Sequence, residues 1–156
     1  MRRRAFAFHI PVPDVVKSVL VPYSTEQMFG LVDDVPRYPE FLPWCSGAEV
    51  VRNDPHVTRA TLHINYRGIR QRFTTDNTTV PPQSLTMQLV EGPFRALDGV
   101  WRFNDLDGRG CKIEFRLHYE FSTRVLAALM GPVFGIIADT LVEAFVKRAG
   151  QLHGSR

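Results

Sequence analysis

The chain has very little of what marks an enzyme or a metal protein. Only two cysteines, Cys45 and Cys111, occur in 156 residues, and they form neither a CxxC motif nor a close pair, which excludes a thioredoxin-like redox site and a cysteine-based zinc site. Cys111 sits on the apolar side of a strand pattern, so both thiols are expected to be structural and free. The five histidines, His9, His56, His63, His118 and His153, fall into no HExxH or similar ligand spacing. There is no GxSxG, no P-loop and no glycine-rich dinucleotide fingerprint. Asp105 and Asp107 stand at a turn, where aspartate serves the backbone, and form no general acid and base pair. No catalytic residue, no metal ligand and no required cofactor is therefore expected. Long uncharged runs are also missing. The opening MRRRAFAFHIPVP is short, proline-interrupted and without a small-residue cleavage pattern, so it does not read as a secretory signal. The apolar C-terminal segment is interrupted by Gly, Pro and charge, and the reading is that no run reaches membrane-spanning length. The expected compartment is the cytoplasm, with a peripheral position at the inner face of the membrane as the variant.

What is present describes an ordered globule of one domain. Hydrophobic residues make up 44% and charged residues 22%, with a formal charge of +3. That excess permits contact with nucleic acid or an anionic surface without establishing either, and DNA is not an expected partner. No repeat, low-complexity block or linker divides the chain. The expected organisation is an extension over residues 1–14, a domain over 15–150 and a tail over 151–156.

Periodicity gives the elements. VVKSVLV, residues 15–21, reads as a strand, and Ser24 with Gln27 forms a capping box for a short helix carrying Met28, Phe29, Leu31 and Val32. Pro36, Pro39 and Pro43 restrict the next segment to turns and one helical turn, with Tyr38, Phe41, Leu42 and Trp44 as its apolar load. From residue 45 the period becomes two: Ala60, Leu62, Ile64 and Tyr66; Ile69, Gln71, Phe73 and Thr75; Leu85, Met87 and Leu89; Leu97, Gly99, Trp101 and Phe103. In CKIEFRLHYEF, Cys111, Ile113, Phe115, Leu117, Tyr119 and Phe121 alternate with polar residues, the pattern of a sheet with one dry and one wet face. After the sheet, Leu126, Met130, Phe134, Ile137, Leu141 and Phe145 recur at helical spacing. This predicts a C-terminal helix of about 25 residues, roughly 38 Å long, with a lead-in turn or kink at Gly131-Pro132 and a stop at Gly150. Six or seven antiparallel strands with the helices on the dry side make an α+β fold.

Arg67, Arg70 and Arg72 form a strong local positive patch. Arg70 and Arg72 share a strand face opposite Ile69 and Phe73. The alternatives are a solvated outer face, an anion or RNA contact, and a polar pocket lining; RNP-type aromatics are missing.

The segments LVPYSTEQMFGLVDDVPRYPEFLPWC, EGPFRALDGVWRF and GPVFGIIADTLVEAFVKRA resemble the Coq10-like branch of the START, or polyketide-cyclase-like (SRPBCC), superfamily, which includes the ribosome-association toxin (RatA) group. The likeness is ordered over residues 15–150. It implies a helix-grip fold, a curved antiparallel sheet around a long C-terminal helix with an apolar cavity between them. It also implies two functions without catalysis. One is binding and presentation of ubiquinone or a polyisoprenoid precursor in support of respiration or quinone biosynthesis, with transient contact to a membrane or to a respiratory or biosynthetic complex. The other is inhibition of ribosomal subunit association through contact with the large subunit. A cyclase-like enzyme is the third alternative, and the fold alone supplies no catalysis for it.

For the first function the expected ligand lining is Trp101, Phe103, Phe115, Leu117, Met130, Phe134, Ile137 and Leu141, with Phe41, Trp44 and Phe94 at the cavity mouth or against a membrane. For the second, the expected contact is Arg67, Arg70 and Arg72. An isoprene unit has five carbons, so burying one is worth roughly 4 kcal/mol gross, which makes tail-dependent binding the signature of the quinone reading.

Overall fold

In a computed structural model the described residues are 14–154, without the side chains of 52 and 53. Residues 1–13 of the expected extension and 155–156 of the tail lie outside the description. Seven strands, β1 (Asp14–Val21), β2 (Cys45–Asn53), β3 (Val57–Tyr66), β4 (Ile69–Val80), β5 (Ser84–Glu91), β6 (Phe94–Asp105) and β7 (Cys111–Phe121), form one sheet in the order β1-β7-β6-β5-β4-β3-β2. All pairings are antiparallel. Between β1 and β2 come α1 (Thr25–Asp33) and a 3-10 helix, Val35–Glu40, and α2 (Arg124–His153) closes the chain. The sheet curves around α2 in the helix-grip arrangement.

Local chemistry sets these boundaries. The Ser24 hydroxyl accepts from the Gln27 N–H at 3.0 Å and the Gln27 side chain accepts from the Ser24 N–H at 3.0 Å, which satisfies two of the donors exposed at the start of α1. β3 turns into β4 through Arg67-Gly68, with φ of 51 and 83, the left-handed pair that a two-residue hairpin needs. At the β6–β7 turn the Asp105 carboxylate accepts from the Gly108 N–H at 3.2 Å, the backbone service expected of it. Alternation holds along β7: Cys111, Ile113, Phe115, Leu117 and Tyr119 are buried, and Arg116 is exposed.

Three features of the C-terminal helix differ from expectation. It is a single run of 30 residues, longer than the roughly 25 expected and without a separate lead-in turn before Pro132. Pro132 and Ala128, whose carbonyl loses its donor, are both exposed, so solvent can take the place of the missing bond. The helix also continues beyond Gly150 to a cap at Gly154, whose N–H donates to the Gly150 carbonyl at 2.9 Å. At Gly150 a side chain would meet the Tyr23 hydroxyl at 3.2 Å, so this glycine serves close packing and not termination. Finally, α2 is long and apolar enough to cross a membrane, with a mean hydropathy of 2.0 in its best window. Residues 125–142 hold only one charge, Asp139, so Gly and Pro do not interrupt the run as expected. In this fold its inward face, Val133, Phe134, Ile137, Ala138, Val142 and Phe145, packs into the core shared with the sheet.

Candidate functional site

Between the sheet and α2 lies an apolar cavity of about 70 Å³. Strand parity and helical period converge on it. β6 and β7 contribute Trp101, Phe115 and Leu117, and α2 contributes Phe134, Ile137 and Leu141, so six of the eight expected lining residues meet here. Phe103 and Met130 do not. Phe103 packs edge-on against Phe29 of α1, with ring centroids 6.1 Å apart, and Met130 is buried on α2 outside the cavity.

Other lining residues went unread in the sequence: Tyr38 from the 3-10 helix, Leu62 from β3, Phe73, Thr75 and Asn77 from β4, and Met87 from β5. The signal for Asn77 was available, because the inward parity of Phe73 and Thr75 continues to it. Asn77 is 5% exposed, and its Oδ1 accepts from the Thr75 hydroxyl at 2.8 Å. The Tyr38 hydroxyl donates to the Val32 carbonyl, and burial raises its pKa strongly.

A groove of about 450 Å³ adjoins the cavity on the outside, bordered by Phe41, Tyr66, Glu143, Lys147 and Arg148. Trp44 and Ile137 line both spaces and form the partition between them. Phe41 thus borders the groove alone, and Trp44 borders both groove and cavity. Phe94 stands elsewhere: it stacks on Phe121 with centroids 5.1 Å apart and meets Phe134 at 5.0 Å. Trp44 and Phe94 are 6% and 5% exposed, so of the three only Phe41 offers surface to a membrane. Volume sets a further condition. An apolar cavity known to bind benzene measures about 150 Å³, so one of 70 Å³ has to enlarge, here by movement of the partition, to take a ring or an isoprene chain.

The second candidate surface is the β3–β4 hairpin. Register sets Arg70 beside Asn65 and Arg72 beside His63 on the outer face, around a shallow depression that Ser46 also borders. Arg67 at the tip lies over the Tyr66 ring at 5.2 Å. Among the described residues Arg67, Arg70 and Arg72 have no carboxylate partner, whereas Arg59 pairs with Asp76 at 2.8 Å and Arg148 with Glu40 at 2.6 Å. The nearest acid bond belongs to His63, whose Nε2 meets Glu49 at 2.9 Å. Among the described residues no group of His, Cys, Asp and Glu is placed to hold a metal ion.

The family described as polyketide cyclase / dehydrase and lipid transport matches residues 21–146. The ribosome association toxin RatA of Pseudomonas aeruginosa is 44% identical over 90% of this chain and 97% of its own length. The mitochondrial coenzyme Q-binding protein COQ10 homolog B of Xenopus laevis is 31% identical over 88% of this chain, which spans 58% of that longer protein. Among solved structures, an 18 kDa protein from Caulobacter crescentus superimposes with a TM-score of 0.70 at 31% identity, covering 92% of this chain and 99% of the other.

Proposed function

This chain belongs to the polyketide cyclase / dehydrase and lipid transport family, in the START-like superfamily and close to its RatA and Coq10 members, and from that premise we propose that it is a non-catalytic protein that binds the ribosome and inhibits association of its subunits. The observation that carries the reading is the near full-length likeness to a ribosome association toxin. The hairpin supports it physically. Three arginines without carboxylate partners among the described residues present donors that match phosphate oxygens, and they do so without the aromatic platforms that single-strand base recognition uses. The site of action in this reading is the cytoplasm and the partner surface is RNA of the large subunit.

The test is sedimentation of ribosomes in a cell-free extract supplied with the purified protein. Free subunits are expected to accumulate at the expense of joined ribosomes, and the variant Arg70→Ala/Arg72→Ala is expected to lose most of this effect while keeping its fold. Joined ribosomes that persist at saturating wild-type protein would refute the reading.

A second reading is favoured by the apolar cavity together with the likeness to a coenzyme Q-binding protein: binding of a quinone or isoprenoid precursor between sheet and helix. Each isoprene unit buried contributes roughly 4 kcal/mol gross, which offsets the cost of opening the partition at Trp44 and Ile137. Native mass spectrometry of protein from a quinone-producing host is expected to show a copurified isoprenoid. Equal affinity for a tailed quinone and its bare headgroup would remove the case for this reading.

A further inference from the structure

An apolar cavity has no use for a buried amide, yet Asn77 is 5% exposed and lines it. The neighbouring Thr75 hydroxyl supplies a hydrogen for the Asn77 Oδ1 at 2.8 Å, while the Asn77 side-chain NH2 has no hydrogen-bond partner among the described residues. Trp101, 2% exposed in the same wall, likewise has an indole N–H without a partner among them. Leaving a buried donor unpaired is costly, and a leucine of nearly the same shape would avoid the cost. Thr75 spends its hydrogen on Asn77, and the Tyr38 hydroxyl spends its own on the Val32 carbonyl, so the side-chain hydrogens left to meet a guest are those of the Asn77 amide and the Trp101 indole.

We propose that Asn77, held by Thr75, is the polar anchor of the cavity and selects an apolar ligand that carries a carbonyl-type acceptor. The inference rests on the second reading above, that the cavity takes a ligand, and adds which chemistry it recognises and through which residue. Thr75 fixes the amide by engaging its oxygen, which turns the NH2 toward the guest. β4 positions the pair, since residues two apart on a strand project to the same side. A hydrocarbon would leave the donors unmet, and a carbonyl oxygen meets them without bringing a hydrogen of its own that needs an acceptor. The guest reaches the anchor by displacing the partition at Trp44 and Ile137, so its acceptor lies deep and its apolar remainder trails toward the outer groove.

Two probes of matched shape test this in the full chain: a benzoquinone with a decyl substituent, and decylbenzene. Calorimetry is expected to give the quinone about five- to tenfold tighter binding, as one buried hydrogen bond supplies, and the Asn77 side-chain amide resonance is expected to shift on adding the quinone only. In Asn77→Leu the preference collapses to near unity while decylbenzene binding persists. Thr75→Val/Asn77→Leu, which removes both partners of the pair, repeats the result if the single variant folds poorly. Decylbenzene binding as tightly as the quinone to the wild type, or a preference that survives in the variants, overturns the anchor but leaves the cavity reading standing. Failure of both probes to bind overturns both.

Discussion

Arg148, near the end of α2, bonds Glu40 at the end of the 3-10 helix at 2.6 Å and lies over the ring of Phe41 at 5.3 Å. One side chain thus ties the C-terminal end of the helix to the segment that carries the groove's rim, by charge and by ring contact together. Glu40 is half-exposed, so the pair is screened and contributes at most about 1 kcal/mol. Its larger effect concerns opening. Arg148→Met keeps the stem that packs on Phe41 and loses the tie. It is expected to lower the unfolding midpoint by about 4 °C at most and to speed quenching of tryptophan fluorescence by an added quinone in stopped flow. An unchanged rate would move the entrance away from the groove.

Phe134 joins the two halves of the core. Its ring meets Tyr119 at 4.6 Å, Phe94 at 5.0 Å, Phe121 at 6.1 Å and Phe73 at 6.2 Å, so it bridges α2 to β4, β6 and β7. Phe134→Ala is expected to cost about 3–5 kcal/mol in denaturant unfolding. A loss below about 1 kcal/mol would mean that the helix is not seated on the sheet as described.

On the wet face, His118 bonds Asp14 of β1 at 2.8 Å and Glu120 at 2.9 Å, and Arg95 pairs with Glu120. The bonds to Asp14 and then Glu120 raise the His118 pKa above its usual 6.5, and the bonds from Arg95 and then His118 lower that of Glu120 below 4.5. A raised histidine stabilises fully below its unfolded value and loses that contribution as pH rises through its folded value; a lowered carboxylate stabilises above its unfolded value and loses it as pH falls through the folded one. The clasp on β1 is therefore strongest between 4.5 and 6.5. Thermal unfolding of wild type and His118→Gln should differ most near pH 6 and converge by about pH 9. A gap that stays constant with pH would show that the histidine acts by packing alone.

Cys45 and Cys111 are both buried and free, and burial pushes each thiol up to about 11. The thiolate is the reactive form, so neither should react with iodoacetamide at neutral pH in the native state, and both should react promptly once urea unfolds the chain. Mass spectrometry after a timed pulse measures this, and fast native labelling of either would contradict its burial.

Much of this protein follows from local pattern. Alternation along β7 determines which side of the sheet is dry, because successive side chains on a strand point to opposite faces. The Ser24 and Gln27 pair determines where α1 starts, since the groups that satisfy its end are neighbours in the chain. The spacing of Phe134, Ile137 and Leu141 likewise determines the inner face of α2. None of these needs a distant partner to be read. The end of α2 was not legible in the same way: Gly150 looks like a stop, and only the approach of Tyr23, more than a hundred residues earlier, makes it a packing site. The same holds for the division of the apolar residues. Phe103 and Phe115 share a dry face and look alike in sequence, but α1 covers the first and the cavity touches the second. The volume of the cavity, the partition at Trp44 and Ile137, and the unpaired amide of Asn77 were decided by tertiary structure alone. Each depends on how closely surfaces from separate elements approach, and periodicity specifies the direction of a side chain but not the distance to what it faces.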